Sequence, residues 1–592
     1  MKFSLPLAAV WCVAWGVWSA SAQSISISPV AVVLENGQRI SGRLQPGETL
    51  AVSVTALGPT FTGTRIKTLQ FADSEFQPPW HWPVQRVRLW GRQSLPAEVV
   101  KLETQQLSCH FLGGKLQQLP ARYVASWEEE WPAALLCYES FSGEKLQLQT
   151  VAGQPTLANV PASAPNSANQ AAAFQNQTFT LEYSFAERLT SGQVAFRLFI
   201  SEPLEAGGTL FFHTAWGDQA AEVLLPHQAD HFTVVATDQS ANSPQPPLSF
   251  TVQPLARRAG WHNLLLSLEK DRVQWTLDGA LLAHGKPPAS GLTKIQFGLR
   301  NPLPAQKPIT PWAYVDDLKI YRQLSQPPAP RTEWRQDCVN LVTGDQVFGK
   351  LTRWSPTELA LHGPYGELTL PRHSVPQVQL TPEAHSLPAL SGLWISAQFR
   401  STSQSVKEDY RVEGVFHSVS SQHLQLQHPA LGQLAIPLNL LRTIEVQNKA
   451  WRFTVDPVTY HLGSQIRPDF LKPMPDGPLW ERTFDLELPK NQAGAAHLLL
   501  DVEHMEGNEI SAPIMAGQLK TSVLFNDQLI EPSLNQHVQH ARQRVRLPIP
   551  GGLLKQGRNK IRLALQPAAA RPQDVGNFLL HGVALERELP EE

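Results

Sequence analysis

The sequence is poor in charged residues, and neither sign of charge dominates. Of its 592 residues, 49 are Lys or Arg and 51 are Asp or Glu, so charged residues make up 17% of the chain and the formal net charge is −2. Nucleic-acid-binding proteins need a clustered basic surface, and this composition argues against that class. Hydrophobic residues make up 42% of the chain, which allows packed cores and excludes a disordered tail.

Cysteine and methionine are scarce, whereas proline and large aromatic residues are abundant. The chain has 4 Cys and 4 Met, against 49 Pro, 17 Trp and 24 Phe. It contains no Cys-x-x-Cys, no phosphate-binding Gly loop, no Gly-x-Ser-x-Gly and no His-Glu-x-x-His, so the common zinc, nucleotide and serine-hydrolase signatures are missing. We expect many short strands separated by turns, in several domains of roughly 100 to 200 residues each.

Residues 1–22 have the layout of a secretory signal peptide. Lys2 supplies a positive start, residues 5–17 are apolar, and the small residues 20–22 form a cleavage site before Gln23. The apolar stretch is shorter than the ~20 residues that span a bilayer, although an uncleaved anchor is the alternative. No later segment is apolar enough to span. We therefore predict a secreted or periplasmic protein without a transmembrane segment after cleavage.

Three cysteines follow the cleavage site, namely Cys109, Cys137 and Cys338. In an exported protein an odd number permits one disulfide and leaves one thiol over. Cys109 and Cys137 are nearest in sequence, and we predict that pair. The alternative is three buried thiols, because free cysteine packs as a small hydrophobic residue.

Four segments share one pattern: an apolar strand, a polar turn, a second strand that often opens with Gly, and a later strand that ends in Leu and Pro. They occupy residues 23–83, 84–150, 334–384 and 391–449. Asn36-Gly37 and Gly344-Asp345 are hairpin signals, because these residues tolerate positive φ. Each segment resembles the SH3-like or Sm-like small β-barrels of large secreted bacterial proteins. Such barrels host many functions, so the resemblance decides none.

Residues 151–173 have the composition of a linker, rich in Ala, Pro, Asn, Gln and Ser. Beyond them, short alternating strands predict a β-sandwich over 174–326. Residues 261–264, Trp-His-Asn-Leu, precede Val-Gln-Trp-Thr-Leu-Asp-Gly at 273–279, and an acidic pair lies at 316–317. This arrangement resembles the concanavalin A-like, laminin-G-type jelly roll. The resemblance implies binding of carbohydrate or protein, and some family members hold calcium or hydrolyse polysaccharide.

The related β-glucanases carry Glu-x-Asp-x-(x)-Glu on one strand, since a retaining mechanism needs two carboxylates about 5 to 5.5 Å apart. No such triplet occurs in this segment, where Glu182 and Glu187 are isolated. The adjacent Asp316 and Asp317 are expected on opposite faces of a strand. We therefore predict no catalytic site. Asp317 is a candidate calcium ligand, and its alternative role is to cap backbone groups.

Tryptophans in two places are candidate sugar platforms. Trp80 and Trp82 lie in a proline-rich connector, where they stack on sugar rings or wedge between adjacent domains. Trp261 and Trp275 fit better as core residues beneath the sheet.

Residues 450–592 form a further predicted sandwich. Val-Leu-Phe-Asn-Asp-Gln at 523–528 and Leu-Leu-Lys-Gln-Gly-Arg-Asn-Lys-Ile at 553–561 are similar to the galactose-binding-like jelly roll. In that resemblance Gly557 and Asn559 shape a turn. The motif defines a scaffold, and the ligand depends on variable loops.

The predicted fold class is all-β and multidomain: a concanavalin A-like sandwich flanked by small barrels, with a C-terminal sandwich. The predicted function is that of an exported, non-catalytic binding protein that recognises carbohydrate or a protein partner at the cell envelope, with calcium as the only cofactor considered. Two alternatives stay open: a polysaccharide hydrolase with an unrecognised carboxylate pair, and a structural subunit of an envelope assembly.

Overall fold

The computed structural model of the chain consists of β-strands joined by turns and short 3₁₀ turns. It describes residues 29–589 except 54–59, 63–64, 72–84, 92, 113–115, 130–132, 140, 142–145, 147, 154–155, 160–169, 175–177, 201–207, 227–230, 239–249, 254, 257–258, 301–312, 324–330, 332–333, 356, 400–408, 489–494, 506–519, 539–540 and 568–574. Within these ranges, no helix has the length and apolar character needed to cross a membrane. The predicted all-β, multidomain fold class is confirmed.

The first ten strands form two five-stranded units. Unit 1 contains β1 (Pro29–Leu34), β2 (Arg39–Gln45), β3 (Ala51–Ser53), β4 (Thr60–Thr62) and β5 (Ile66–Phe71). Unit 2 contains β6 (Gln85–Leu89), β7 (Gln93–Glu103), β8 (Gln106–Phe111), β9 (Leu116–Pro120) and β10 (Val124–Glu129). In both units the first four strands pair in sequence and the fifth returns to pair with the first.

A two-sheet sandwich follows. Its strands are β11 (Ala133–Glu139), β12 (Gln149–Ala152), β13 (Thr156–Asn159), β14 (Gln170–Phe174), β15 (Phe179–Leu189), β16 (Gly192–Ile200), β17 (Thr209–Trp216), β18 (Gln219–Pro226), β19 (His231–Asp238), β20 (Phe250–Val252), β21 (Leu255–Ala256), β22 (Gly260–Leu268), β23 (Val273–Leu277), β24 (Ala280–Gly285), β25 (Leu292–Arg300) and β26 (Ala313–Gln323). One sheet has the order β13-β14-β26-β16-β22-β23-β24-β20, with β11 also on β26, and the other has β12-β15-β25-β17-β18-β19-β21. Alternating apolar residues of both sheets meet in one core.

Two further five-stranded units come next and have the same pairing order as units 1 and 2. Unit 3 contains β27 (Asp337–Asn340), β28 (Gln346–Trp354), β29 (Glu358–Gly363), β30 (Gly366–Pro371) and β31 (Gln377–Gln379). Unit 4 contains β32 (Leu390–Phe399), β33 (Tyr410–Val419), β34 (His423–His428), β35 (Gly432–Pro437) and β36 (Leu441–Asp456).

A proline ends the fourth strand in three of the units and starts a 3₁₀ turn. Pro120, Pro371 and Pro437 have φ of −56°, −68° and −58° and precede the turns Ala121–Tyr123, Arg372–Ser374 and Leu438–Leu440. The ring fixes φ near these values and removes a strand donor, so it stops the ladder and starts the turn. The Leu-Pro ending of the sequence pattern therefore has a structural cause.

The units join through their fifth strands. In units 2 and 3, β10 pairs with β31, as in Trp127 opposite Val378. In units 1 and 4, β5 pairs with β36, as in Leu69 opposite Ile444. One continuous hydrophobic core runs through all four units.

The C-terminal sandwich shares a strand with unit 4. Its own strands are β37 (Tyr460–Gly463), β38 (Leu479–Leu486), β39 (Ala496–Glu503), β40 (Lys520–Phe525), β41 (Gln528–Glu531), β42 (Gln543–Ile549), β43 (Gly557–Gln566) and β44 (Asn577–Glu588), with a 3₁₀ turn at Leu534–His537. The end of β36 pairs with β44, and so does β37. On its other side β44 pairs with β39, and β39 pairs with β42. The second sheet has the order β38-β43-β40-β41, and the core lies between the two sheets.

Two sequence predictions need correction. The segment 151–173, predicted as a linker, contributes the end of β12, all of β13 and most of β14 to the sandwich. The segment assigned to the second barrel contributes β11 and the start of β12. The predicted Cys109–Cys137 disulfide is not formed, since neither sulfur is in a disulfide, and both cysteines and Cys338 are buried. Cys109 packs in the core of the units and Cys137 in that of the sandwich, so two different cores hold the two sulfurs.

Candidate functional site

The outer face of the seven-stranded sheet carries a row of polar side chains on four neighbouring strands. Glu182 on β15 lies opposite Gln296 on β25, which lies opposite His213 on β17, and His213 lies opposite Glu222 on β18. Successive residues of a strand point to opposite faces, and most of the flanking inward positions, such as Leu181, Phe297 and Val223, are buried apolar residues of the core. We call Glu182, Gln296, His213 and Glu222 the polar row.

At one end of the polar row, three side chains hold the Glu182 carboxylate. Gln296 Nε2 donates to it at 2.5 Å and Ser184 Oγ at 2.7 Å, and Lys294 Nζ lies 3.5 Å away. Partial burial opposes ionisation, but these hydrogen bonds and the lysine charge hold the pKa of Glu182 below its ordinary value. The carboxylate is therefore ionised and fixed in direction.

At the other end, Glu222 is held more firmly. His213 Nδ1 lies 2.8 Å from one carboxylate oxygen, and Arg300 donates two hydrogen bonds of 2.9 Å. The Arg300 guanidinium also stacks 3.8 Å from the centre of the Phe211 ring. The His213 hydrogen bond, and then Arg300, lower the pKa of Glu222 to about 2 despite burial. A two-pronged arginine contact fixes both the position and the plane of the carboxylate.

The two carboxylates of the polar row do not fit the pair that glycoside hydrolysis needs. Glu182 and Glu222 are three strands apart, which at about 4.8 Å per strand is ~14 Å between backbones. Hydrolases hold their two carboxyl groups roughly 5 to 9.5 Å apart, and one of them must be a proton donor with a raised pKa. Both pKa values here are lowered instead. The polar row therefore has neither the spacing nor the acid of a hydrolase pair, and the side chains of Glu182, His213 and Glu222 are 14, 7 and 12% exposed.

Asp317, the candidate calcium ligand, has a described backbone on β26, but its side chain lies outside the described residues. Its neighbour Asp316 is buried, on the strand position opposite Arg197. Among the side chains that the structure describes, no group of three or more His, Cys, Asp or Glu is arranged to hold a metal ion. The calcium assignment of Asp317 stays a prediction.

The tryptophans divide into three cases. Trp80 and Trp82 lie outside the described residues, so the glycan-platform prediction for them stays untested. Trp275 is a core residue of the sandwich, as expected. Trp261 instead packs on the opposite side of the nine-stranded sheet, against Phe199 and under the Arg197 guanidinium at 4.4 Å.

Of the polar row, the sequence singles out only Glu182, as an isolated carboxylate. The other three residues come from strands that lie 31 to 114 positions further along the chain. The available signal is a polar residue between apolar neighbours, such as Gln296 between Ile295 and Phe297, and His213 lacks it because Thr214 follows. That signal places a residue on a face, but strand order alone decides which of these residues are neighbours.

No family model matches the chain, and neither does any curated protein. Some solved structures match parts of it. The apo Crh5 transglycosylase matches with a TM-score of 0.22 and 12% identity, over 33% of this chain and 87% of its own. The CBM2 module of evolved Dit from Lactobacillus casei BL23 phage J-1 has a TM-score of 0.24 and 12% identity over 32% and 96%, and the Bacillus licheniformis β-glucanase 0.19 and 13% over 31% and 97%. At these TM-scores and identities the likenesses carry no argument about function.

Proposed function

We propose that the protein is an exported, non-catalytic binding protein that recognises carbohydrate through the polar row of its first sandwich. The observation that carries this proposal is the line of planar polar groups, a carboxylate, an amide, an imidazole and a second carboxylate, on one sheet face. Sugars present closely spaced hydroxyl groups that donate and accept hydrogen bonds. A planar group with two polar atoms can form two hydrogen bonds with adjacent hydroxyl groups, as a carboxylate does with a guanidinium group.

The row is also prearranged for binding. Gln296 donates to Glu182 at 2.5 Å and His213 Nδ1 lies 2.8 Å from Glu222, so each pair loses less rotational freedom when a ligand arrives. Lys294 and Arg300 lie beside the row and are partly exposed, which adds donors at both ends. The row crosses four neighbouring strands, a length that suits an extended chain of sugar units better than a single small molecule.

Export is part of the proposal and depends on residues 1–22, which lie outside the described residues. The test is N-terminal sequencing of the protein recovered from the periplasm or the medium of an expressing bacterium. A mature N-terminus at Gln23 is the expected result. Full-length protein in the cytoplasm would contradict export without affecting the binding proposal.

The binding test uses the purified chain, incubated with insoluble and soluble polysaccharides in the presence of calcium or a chelator. Retention and released sugar are both scored. Gln296→Ala removes the hydrogen bond to Glu182 in the middle of the row, and we expect it to weaken retention about tenfold, a loss of ~1.4 kcal/mol. The matched control is Gln274→Ala, since Gln274 is half-buried on the outer face of the other sheet.

Retention that depends on Gln296 but not on Gln274 would support the proposal. Released sugar would contradict the non-catalytic part and favour the hydrolase alternative. Retention that a chelator abolishes would support a calcium site at Asp317. Equal loss in both variants, or no retention on any polysaccharide, would overturn the polar row as the binding site and favour a protein partner.

A further inference from the structure

A second candidate binding site lies where unit 2, unit 4 and the C-terminal sandwich meet. The pocket there has a volume of about 520 Å³, within the range of small-ligand sites. Five arginines line it, together with five carboxylates, of which Glu413, Asp501 and Glu586 are the most buried. The arginines are Arg411, Arg452, Arg542, Arg544 and Arg546. We call this cavity the junction pocket; it is separate from the polar row.

Buried carboxylates hold the arginines of the junction pocket in place through ion pairs. Glu413 accepts from Arg411 at 2.9 Å and from Arg544 at 3.0 Å. Burial opposes its ionisation, but these guanidinium groups and that of Arg452 lower the pKa of Glu413 to about 2. Because Arg544 belongs to the C-terminal sandwich and Glu413 to unit 4, the ion pair also ties these two parts of the chain together.

Glu586 has the same role beside it. Arg452 donates to Glu586 at 2.7 Å, and Arg546 Nε lies 3.2 Å from its other oxygen. Arg546 also donates to Glu588 at 2.6 Å. The side chains of Arg411, Arg544 and Arg546 are 43, 37 and 37% exposed, whereas those of Glu413 and Glu586 are 13 and 3% exposed. Glu588, at 55% exposed, and the exposed Glu445 also line the pocket, so its accessible surface presents the guanidinium groups of Arg411, Arg544 and Arg546 beside two carboxylates.

Three neutral residues of the pocket, Gln93, Gln447 and Asn448, have their acceptor oxygens occupied as well. Gln93 Oε1 accepts from the Glu413 backbone N–H at 2.8 Å. The side-chain oxygens of Gln447 and Asn448 accept from Arg452 at 3.0 and 3.3 Å. Their amide NH₂ groups add to the guanidinium donors. A ligand for such a lining must bring acceptors, and a carboxylate matches a guanidinium group best.

We propose that the junction pocket binds an acidic saccharide, that is, a sugar unit that carries a carboxylate. The carboxylate would pair with the exposed arginines, and the ring oxygens and hydroxyls would accept from the amide groups. An acidic peptide is less suited, because Leu499 is the single apolar residue among the lining residues. The choice of ligand class rests on the proposed carbohydrate function, but the site and its variants are independent of the polar row.

The test measures binding of trigalacturonate and of neutral galactotriose to the full chain by calorimetry at low ionic strength. We expect trigalacturonate to bind at least tenfold more tightly than galactotriose. Arg546→Gln should weaken trigalacturonate binding at least tenfold, and Glu586 keeps its Arg452 partner in that variant. The matched control is Arg442→Gln on unit 4, whose arginine is 54% exposed, pairs with Asp409 and lies outside the pocket. It should change the affinity by less than twofold.

The outcomes separate this proposal from the previous one. Equal binding of the acidic and the neutral trisaccharide, or unchanged binding in Arg546→Gln, would overturn the junction pocket as an acidic-saccharide site. Loss of trigalacturonate binding in Gln296→Ala would assign that ligand to the polar row instead. A tri-glutamate peptide that binds as tightly as trigalacturonate would overturn the saccharide class. Failure of the polar row would show as lost polysaccharide retention with trigalacturonate binding intact.

Discussion

At the scale of single residues, Asp456 is the clearest titrating group in the fold. It ends β36, is 1% exposed, and accepts from the Val458 N–H at 3.1 Å and the Tyr460 hydroxyl at 2.9 Å. Burial raises the pKa of its carboxyl from 3.8 to about 6 in spite of these bonds. The folded state binds this proton more tightly than the unfolded state does, which stabilises the fold fully below pH ~3.8. This stabilisation is lost as the pH rises through 6.

Asp456→Asn should therefore gain stability relative to the natural protein as the pH rises from 4 to 7. The difference approaches about 3 kcal/mol, at 1.36 kcal/mol per pKa unit. The measurement is the melting temperature of both proteins across that pH range. Asp485→Asn, at an exposed position of the same sandwich, is the control and should show no such trend. Parallel curves for Asp456→Asn and the natural protein would contradict the raised pKa.

The three cysteines allow a second prediction at this scale. Burial raises the pKa of Cys137 to about 12 and of Cys338 to about 11, and raises that of Cys109 as well. Thiols without thiolate character and without access react slowly. At pH 8 the native protein should take up almost no thiol reagent, and the denatured chain from Gln23 should take up three equivalents. If the chain denatured without reductant took up one equivalent of thiol reagent instead of three, two of the cysteines would be in a disulfide.

At the scale of elements, the sequence predicts strands and turns better than it predicts their partners. The shared Gly of the second strand has a local cause in units 1, 3 and 4. A Cβ added at Gly42, Gly349 or Gly414 would lie 2.8, 2.9 or 2.6 Å from a carbonyl oxygen of the neighbouring strand. Such a contact favours glycine at that one position, so the glycine recurs in the sequence pattern and can be recognised there. The linker prediction for 151–173 is wrong because β13 pairs with β14, and β14 pairs with β26, which lies far along the chain.

The pairing of β10 with β31 gives a prediction about a buried ion pair. Arg372 donates to Glu129 at 2.5 Å and to the Val375 carbonyl at 3.0 Å, and its guanidinium lies 4.3 Å from the Trp354 ring. The two charged side chains are only 8 and 3% exposed. Arg372→Met would leave the Glu129 charge buried and unpaired, which costs about 3 to 5 kcal/mol. The measurement is the melting temperature of the full chain.

Two companion variants make the ion-pair prediction specific. Arg353→Met removes an arginine that pairs with Glu358 at 2.8 Å where both side chains are well exposed, and it should cost less than about 1 kcal/mol. Adding Glu129→Gln to Arg372→Met removes the stranded charge and should recover part of the loss. A cost for Arg372→Met as small as that for Arg353→Met would show that the junction of units 2 and 3 does not depend on this pair.

At the scale of the whole molecule, units that are distant in sequence are neighbours in space. Unit 1 pairs with unit 4 and unit 2 with unit 3. The segments that precede the sandwich in sequence therefore pair with those that follow it. Internal similarity predicts four units, but it does not predict which of their fifth strands pair with one another. For the same reason neither the polar row nor the junction pocket could be assembled from the sequence, since each collects residues from at least three separate segments.

In sequence, the first sandwich is an insertion between β10 of unit 2 and β27 of unit 3, two units that pair with each other. Both strands pair with β31, so they lie about 10 Å apart, at two strand spacings. Residues 130–132 and 324–336 suffice to bridge that gap at roughly 3.3 Å per residue. A chain that lacks residues 133–323 should therefore fold, with a melting temperature lowered by the loss of β11 from the turn Arg372–Ser374. It should keep trigalacturonate binding and lose polysaccharide retention. An aggregated product, or one that still holds polysaccharide, would show that the sandwich is not a separable binding domain.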